Sequence, residues 1–373
     1  MIKKQVVVIG GGPSGMAAAI EAARRGAEVL VADANQKAGG QLFKQIHKFF
    51  GSSAHRAGVR GIDIGTELLQ EAEDVGVEIW INAQVIGLFE GKVAAVEIGT
   101  DDTEKRIVNV QAEKIVICAG ASENVVRFKG WTLPGVMGAG AAQTMINVNR
   151  VILGKRVLMI GTGNVGLIVS YQLMQAGADV VSLVDVAPSI GGYAVHASKI
   201  TRAGVPIRTR HTVLEARGEE RVEQAVIVEV DETFRPVPGT EEVIDCDTIA
   251  IGAGLKPVAE LALMYGCRMD FNPIQGGWVP LHDENMETSC EGIYVAGDIT
   301  GVEEANTALE EGRLSGIDIA CKLGKIDEET AKAEKAAVWD RLDGLRLGPH
   351  GEERHEAKMK QIAKFKKAAG GEA

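Results

Sequence analysis

The chain has 373 residues and a formal net charge of −11, and 46 of its residues are glycine. The acidic balance argues against nucleic acid as a main partner, and no apolar run reaches the roughly 18 residues that a membrane-spanning helix needs. The first residues pass from two lysines directly into a short strand, without the apolar segment of a secretory signal. We therefore expect a cytoplasmic protein that is long enough for two domains.

The first predicted elements are a strand, a glycine-rich turn and a helix. Val6–Ile9 is an apolar strand, the turn has the pattern G-x-G-x-x-G, and the helix of small residues ends at Gly26. In such a unit the glycines allow the backbone to approach a pyrophosphate at the helix N-terminus, and an acid after the second strand binds a ribose. The expected site residues here are Gly10, Gly12, Pro13, Ser14, Gly15 and Asp33.

The same unit occurs a second time further along the chain. Val157–Ile160 is the strand, and the helix after the turn stops at Gly177. Two complete copies predict two dinucleotide sites, whereas a single glycine-rich turn would be a weak signal. The expected site residues of the second copy are Gly161, Gly163, Asn164, Val165, Gly166 and Asp185.

Further apolar strands close each half of the chain. Each unit is followed by alternating strands and then by an apolar strand, which ends at Ala119–Gly120 in the first half and at Gly252 in the second. A later strand delivers Gly297–Asp298 just before a helix expected from about residue 303 to residue 323. The pattern predicts an α/β protein with two Rossmann-like domains and β-meanders. The last strand comes after both halves and must dock onto one of them. We therefore expect a discontinuous first domain (1–127 and 256–325) and an inserted second domain (128–255).

Residues 326–373 are predicted to form a charged helical tail. Trp339, Leu342 and Leu345 are candidates for docking it, and five lysines fall between Lys358 and Lys367. Such lysines can bind an acidic lipid or partner, but a solvated or frayed end is the expected state.

The five cysteines are scattered and contain no C-x-x-C pair. Zinc or iron–sulfur ligation needs clustered cysteines, so we expect no metal site and interpret the thiols as small buried apolar groups. These residues are Cys118, Cys246, Cys267, Cys290 and Cys321.

Five motifs follow one another in the chain: the first glycine turn, the strand to Ala119–Gly120, the second glycine turn, the strand to Gly252, and Gly297–Asp298. In this order they resemble the motifs of the two-dinucleotide-binding flavoproteins, of which thioredoxin reductase is a compact member. The resemblance covers roughly residues 1–325 and implies FAD in the first unit and NAD(P)H in the second. It further implies that Asp298 binds the ribityl chain of the flavin and that the following helix directs its N-terminus, near Ala305, at the flavin ring. Gly40 and Gln41 correspond to the loop that passes the flavin.

The chain departs from that family where its redox cysteines should be. Residues 39–45 and 141–147 contain no cysteine, which excludes disulfide reduction by the usual route. The stretch from Gly130 to Met137, followed by Ala141–Gln143, more closely resembles the FAD/NAD-type subunits of dye-linked amino-acid dehydrogenases, opine oxidase and hydrogen cyanide synthase. That resemblance implies an oligomer whose partners are an iron–sulfur protein and an amine-oxidising flavoprotein.

Three functions follow as alternatives. In the first, an FAD-dependent oxidoreductase passes hydride or electrons from NAD(P)H to the flavin and on to an external acceptor or partner subunit. In the second, the chain is an electron-relay or nucleotide-binding structural subunit of an amine or amino-acid dehydrogenase, and in the third it is a binding scaffold. Asp185 and the absence of a nearby arginine in the sequence favour NAD(H) over NADP(H). An adenine nucleotide is kept as a further alternative for the second site. Catalytic residues are not identified; His47, His55 and His196 are interpreted as surface or pocket histidines.

Overall fold

The computed structural model describes residues 1–100, 104–347 and 351–369. Within these ranges the strands are β1 Ile2–Ile9, β2 Val29–Ala32, β3 Glu78–Trp80, β4 Ala83–Phe89, β5 Val93–Ile98, β6 Arg106–Ile117, β7 Ala121–Glu123, β8 Val136–Gly138, β9 Arg156–Ile160, β10 Asp179–Asp185, β11 Ile207–Thr209, β12 His211–Arg217, β13 Gln224–Glu229, β14 Glu242–Asp245, β15 Thr248–Ile251, β16 Leu255–Pro257, β17 Met269–Asn272, β18 Gly277–Pro280 and β19 Ile293–Val295. The helices are α1 Pro13–Arg24, α2 Gly61–Asp74, α3 Ala139–Asn147, α4 Asn164–Gln175, α5 Ala194–Arg202, α6 Glu260–Met264, α7 Ala305–Lys322, α8 Glu328–Arg346 and α9 Glu352–Ala369.

The chain forms two compact units. The first contains Met1–Ser122 and the residues from Lys256 onward, and the second is Glu123–Leu255. The predicted fold class, α/β with two Rossmann-like units and a helical C-terminal region, is confirmed. Among the described residues, no helix is both long enough and apolar enough to cross a bilayer.

The first unit is built on a parallel sheet in the order β3-β2-β1-β6-β19. Strand β2 is buried along its whole length, and β1 and β6 are apolar and buried in their last residues, where helices and the meander cover both faces. Strand β6 is long enough to serve two purposes. Its C-terminal half pairs in parallel with β1 and β19, while its N-terminal half pairs with the antiparallel meander β4–β5.

Helices α1 and α7 pack against each other at very short range through small residues. A Cβ atom on Gly312 would lie 2.1 Å from the carbonyl oxygen of Ser14, and one on Gly316 would lie 2.5 Å from that of Ala18. Only glycine fits at such distances. This packing brings the N-terminal part of α7 close to the glycine-rich turn that begins α1.

The second unit repeats the parallel plan with five strands in the order β11-β10-β9-β15-β8. Helices α3, α4 and α5 contribute to one apolar core, and a three-stranded antiparallel sheet, β12-β13-β14, contributes to another. The residues of β15 are fully buried, which agrees with its position between two parallel neighbours.

The C-terminal helices are packed, and one of the five tail lysines departs from the expected solvated state. Leu342 of α8 lies in an apolar cluster with Leu314 and Ile317 of α7. Lys358, the first of the five tail lysines, is only 1% exposed. Its ammonium group therefore has a fixed internal partner, which the sequence pattern did not indicate.

Replacing Gly312 by alanine should separate α1 from α7. We expect Gly312→Ala to lower the free energy of unfolding by about 1–3 kcal/mol, because the new methyl group overlaps a backbone carbonyl. Gly344→Ala is the matched control on α8: nothing lies within 4 Å of its Cβ position, so it should stabilise the helix by about 0.5–1 kcal/mol. Denaturant unfolding of both variants would measure the difference, and equal effects would contradict the packing argument.

Candidate functional site

The first glycine-rich turn is shaped by backbone contacts that exclude side chains. Gly10 has φ of +96°, and a Cβ atom there would lie 2.4 Å from the carbonyl oxygen of Cys118. A Cβ atom on Gly15 would lie 1.9 Å from the carbonyl oxygen of Gly10. Helix α1 follows at once, with Gly12 as its N-cap and Pro13 as its first residue. The turn thus presents a helix N-terminus, whose unpaired N–H groups favour an anion.

The carboxylate of Asp33 is anchored beside this turn. Its Oδ2 accepts the backbone N–H of Gly11 at 2.7 Å, and its Oδ1 accepts the backbone and side-chain N–H groups of Asn35 at 2.8 Å. The side chain is buried. Its orientation at the end of β2 is therefore fixed before any ribose arrives.

A second loop lies directly on the turn. The N–H of Gly39 donates to the carbonyl of Gly11 at 2.7 Å, and both Gly39 and Gly40 have positive φ. A Cβ atom on Gly40 would lie 2.8 Å from the Cα of Gly12. The exposed Gln41 follows, so the structure brings these predicted residues to the N-terminus of α1.

Two further strands end at the same edge of the sheet. Strand β6 delivers Ala119–Gly120 and β19 delivers Gly297–Asp298, because both are parallel to β1. Gly297 has φ of +79°, and a Cβ atom there would lie 2.6 Å from the Ser14 hydroxyl. Burial raises the pKa of the half-buried Asp298 carboxyl to about 7, and the negative charges of Glu311, Glu303 and Glu304 act in the same direction.

The N-terminus of α7 carries a buried acceptor. Asn306 is 8% exposed, its Nδ2 donates to the carbonyl of Phe50 at 2.7 Å, and its Oδ1 has no hydrogen-bond partner within the described part of the chain. A buried unsatisfied oxygen is costly unless a ligand supplies a donor. The imide N–H of a flavin ring is such a donor. The glycine cradle and the unsatisfied Oδ1 of Asn306 are both compatible with a flavin nucleotide in the first unit.

A buried ion cluster fastens the loop that carries Phe50 to α7. His55 Nε2 lies 3.1 Å from Glu310 Oε1, and Arg341 of α8 donates to Glu310 Oε2 at 2.9 and 3.1 Å. Burial lowers the pKa of His55, although Glu310 acts in the opposite direction. This pair could not be predicted from the sequence, because the two residues are 255 positions apart. His55 is buried, so of the two interpretations, surface or pocket histidine, the surface one does not hold.

The turn of the second unit has the same geometry as the first. Gly161 has φ of +105°, and its Cβ position lies 2.2 Å from the carbonyl oxygen of Gly252. The Cβ position of Gly166 lies 2.1 Å from the carbonyl oxygen of Gly161. Gly163 is the N-cap of α4, which Asn164 begins. Val165 beside it is exposed.

Asp185 occupies the place that Asp33 has in the first unit. Its Oδ2 accepts the N–H and the hydroxyl of Thr162, each at 2.7 Å, and its Oδ1 accepts the N–H of Ala187. A glycine loop again covers the turn: Gly192 donates to the carbonyl of Thr162 at 2.9 Å, and Tyr193 donates its N–H to Asn164 Oδ1. The covering loop is thus duplicated along with the turn and the acid.

These features define a protein with two Rossmann-type units. A family model described as pyridine nucleotide-disulphide oxidoreductase matches residues 4–312. The chain belongs to this family of oxidoreductases, which implies a flavin and a pyridine nucleotide. The predicted family resemblance is therefore confirmed.

The chain is also similar to several named proteins. It is 30% identical to an opine oxidase subunit of Agrobacterium tumefaciens over 87% of this chain and 67% of that protein. It is 26% identical to hydrogen cyanide synthase subunit HcnB of Pseudomonas protegens over 91% of this chain and 75% of that protein. The crystal structure of T. acidophilum thioredoxin reductase matches with a TM-score of 0.69 at 22% identity, over 87% of this chain and 99% of that one. This last similarity concerns the fold alone.

The raised pKa of Asp298 predicts that the free energy of unfolding of the nucleotide-free protein falls as the pH rises. A carboxyl whose folded pKa is about 7, against an ordinary 3.8, contributes stability that is present below about pH 4 and is lost as the pH rises through 7. Asp298→Asn should therefore raise the Tm of nucleotide-free protein at pH 8 by a few degrees, with little effect at pH 4. The exposed Glu219, changed to glutamine, is the control. A Tm difference that does not vary with pH would refute the assignment.

Proposed function

We propose that the first unit binds FAD, that the second binds NAD(H), and that the chain passes electrons from NADH through the flavin to an external acceptor or partner subunit. This proposal rests on one observation: both units have the same complete arrangement of glycine turn, acidic residue and covering loop. The unsatisfied Oδ1 of Asn306 adds an acceptor in the first unit that the imide N–H of a flavin could satisfy.

The residues proposed to hold FAD all lie at one edge of the first sheet. The N-terminus of α1 would take the pyrophosphate, Asp33 the adenosine ribose and Asp298 the ribityl hydroxyls, while Ala305 and Asn306 would meet the ring. Asp298 at a raised pKa could accept or donate a hydrogen bond near neutral pH. When bound, the flavin supplies the two-electron chemistry, since it accepts reducing equivalents from a nicotinamide. The remaining contacts come from Gly40, Gln41, Ala119, Gly120 and Gly297.

We further propose that no disulfide takes part in the reaction. The thiols of Cys118, Cys246 and Cys267 are buried, and burial raises the pKa of each to about 12. A thiol must ionise to attack a disulfide or to receive electrons efficiently. Electrons would therefore leave the flavin for an acceptor outside the chain.

For the second unit we propose NAD(H) as the preferred nucleotide. The half-buried Asp185 carboxylate retains a free lone pair on Oδ1 for a ribose 2′-hydroxyl, and its charge would repel a 2′-phosphate. Only Val186, Ala187 and Pro188 follow it directly in the chain. The site would consist of the turn residues with Asn164, Val165 and Gly252.

A second candidate function is that of a relay or nucleotide-binding subunit in an amine or amino-acid dehydrogenase. The names of the two relatives describe subunits, of an opine oxidase and of a hydrogen cyanide synthase. Under this alternative an amine-oxidising flavoprotein and an iron–sulfur protein would be the partners, and the second site would hold a structural nucleotide.

One experiment separates the two functions. Protein purified with its yellow chromophore would be titrated with NADH under anaerobic conditions while absorbance near the flavin band is followed. Stoichiometric bleaching supports the NADH oxidoreductase. Bound FAD that NADH does not bleach, together with copurifying subunits, supports the relay, and colourless protein that takes up no FAD would overturn both.

Asp185→Asn should weaken the discrimination between the two nicotinamide nucleotides. The amide still accepts the N–H of Thr162 but lacks the charge that opposes a 2′-phosphate, so we expect the preference for NADH over NADPH to fall by about tenfold. The measurement is the Kd of each nucleotide for the FAD-loaded protein. Asp179→Asn, an exposed change at the start of the same strand, is the control, and an unchanged Kd ratio in Asp185→Asn would count against the site.

A further inference from the structure

The turn that carries Asp298 is hydrogen-bonded to a buried carboxylate. Oε2 of Glu311, on α7, accepts the N–H of Gly297 at 2.9 Å and lies 2.8 Å from the hydroxyl of Thr300. Asp298 lies between these two residues in a short 3₁₀ turn. The position of its backbone therefore depends on where Glu311 is held.

Two basic residues of the C-terminal helices hold Glu311 in place. Its Oε1 accepts Nη2 of Arg346 at 2.8 Å and lies 3.0 Å from Nζ of Lys358. All three residues are at most 3% exposed. Burial alone would raise the pKa of Glu311, but Lys358 and Arg346 more than offset it and hold that pKa at about 2. Glu311 is thus an anion whose compensation comes from α8 and α9.

Lys358 also contacts the turn itself. Its Nζ donates to the carbonyl oxygen of Thr300 at 2.8 Å as well as to the Thr300 hydroxyl. Arg346 forms a two-bond fork to Glu303 at 2.9 Å, and the backbone N–H of Glu303 donates to the Asp298 carboxyl. The C-terminal helices therefore contact the Asp298 turn in two ways: directly through Lys358, and indirectly through Arg346 and Glu303.

We propose that the C-terminal helices form part of the flavin site and that Lys358 and Arg346 are positioning residues for Asp298. This inference rests on the proposed FAD site in the first unit. Both residues lie beyond the stretch 4–312 that the family model matches, so the family assignment gives them no role. A surface lysine on a solvated tail would have none of these contacts.

The test compares Lys358→Met with Lys364→Met. Lys364 lies on the same helix but forms an exposed ion pair with Asp270 at 2.7 Å. FAD would be removed from each protein and titrated back while flavin fluorescence is followed, well below the Tm. We expect the Kd for FAD to rise about tenfold in Lys358→Met, as the loss of one buried charged hydrogen bond produces, and to stay within about twofold of wild type in Lys364→Met.

A double variant separates positioning from charge balance. Lys358→Met leaves Glu311 with one counter-charge fewer, which destabilises the fold; Glu311→Gln combined with Lys358→Met removes both charges. We expect this pair to recover most of the Tm without recovering the Kd for FAD, because Thr300 still lacks its donor. The visible spectrum of bound flavin should shift in the same variants.

The outcomes distinguish the two levels of the proposal. Wild-type protein that takes up no FAD would overturn both the proposed function and this inference. Wild-type protein that binds FAD, with Lys358→Met or the double variant binding it as tightly, would overturn the positioning role alone. If Lys358→Met does not fold, the double variant is compared with Glu311→Gln alone: a Kd for FAD that is higher in the double variant supports the role of Lys358, and equal Kd values overturn it.

Discussion

The fold depends on a constraint that only glycine satisfies, which is the contact of one backbone segment with another without a side chain between them. Gly15 lies against the carbonyl of Gly10, and Gly312 lies against that of Ser14. These contacts bring α1 onto its strand and α7 onto α1. The nucleotide site is a product of this packing, since the helix N-termini converge only where the backbones approach so closely.

The sequence was sufficient for features that are local and repeated. The glycine turns, Asp33 and Asp185 could be predicted because strand, turn, helix and acid occur within one continuous segment. The confirmed α/β class followed from the order of the apolar strands. The loop at Gly39–Gly40 was predicted from the family resemblance. That its counterpart at Gly191–Gly192 covers the second turn was not predicted, because only the hydrogen bond from Gly192 to Thr162 shows it.

The buried charged residues could not be predicted from the sequence. His55, Glu310, Glu311 and Lys358 all occur among residues that are normally exposed, and nothing in their spacing pairs them. A lysine within a helix of alternating charges is indistinguishable from a solvated one until the tertiary partner is known. The tail was therefore expected to be solvated, whereas its helices contain the cations that neutralise the interior of the first unit.

The discontinuity of the first unit affects the order in which the protein is built. During synthesis the segment before residue 123 cannot complete its parallel sheet, because β19 and α7 follow the whole inserted unit, and Lys358 follows later still. The inserted unit can close its own sheet meanwhile. The first nucleotide site should consequently be the last part to form, and a chain interrupted before α9 would hold a finished second site beside an unfinished first one.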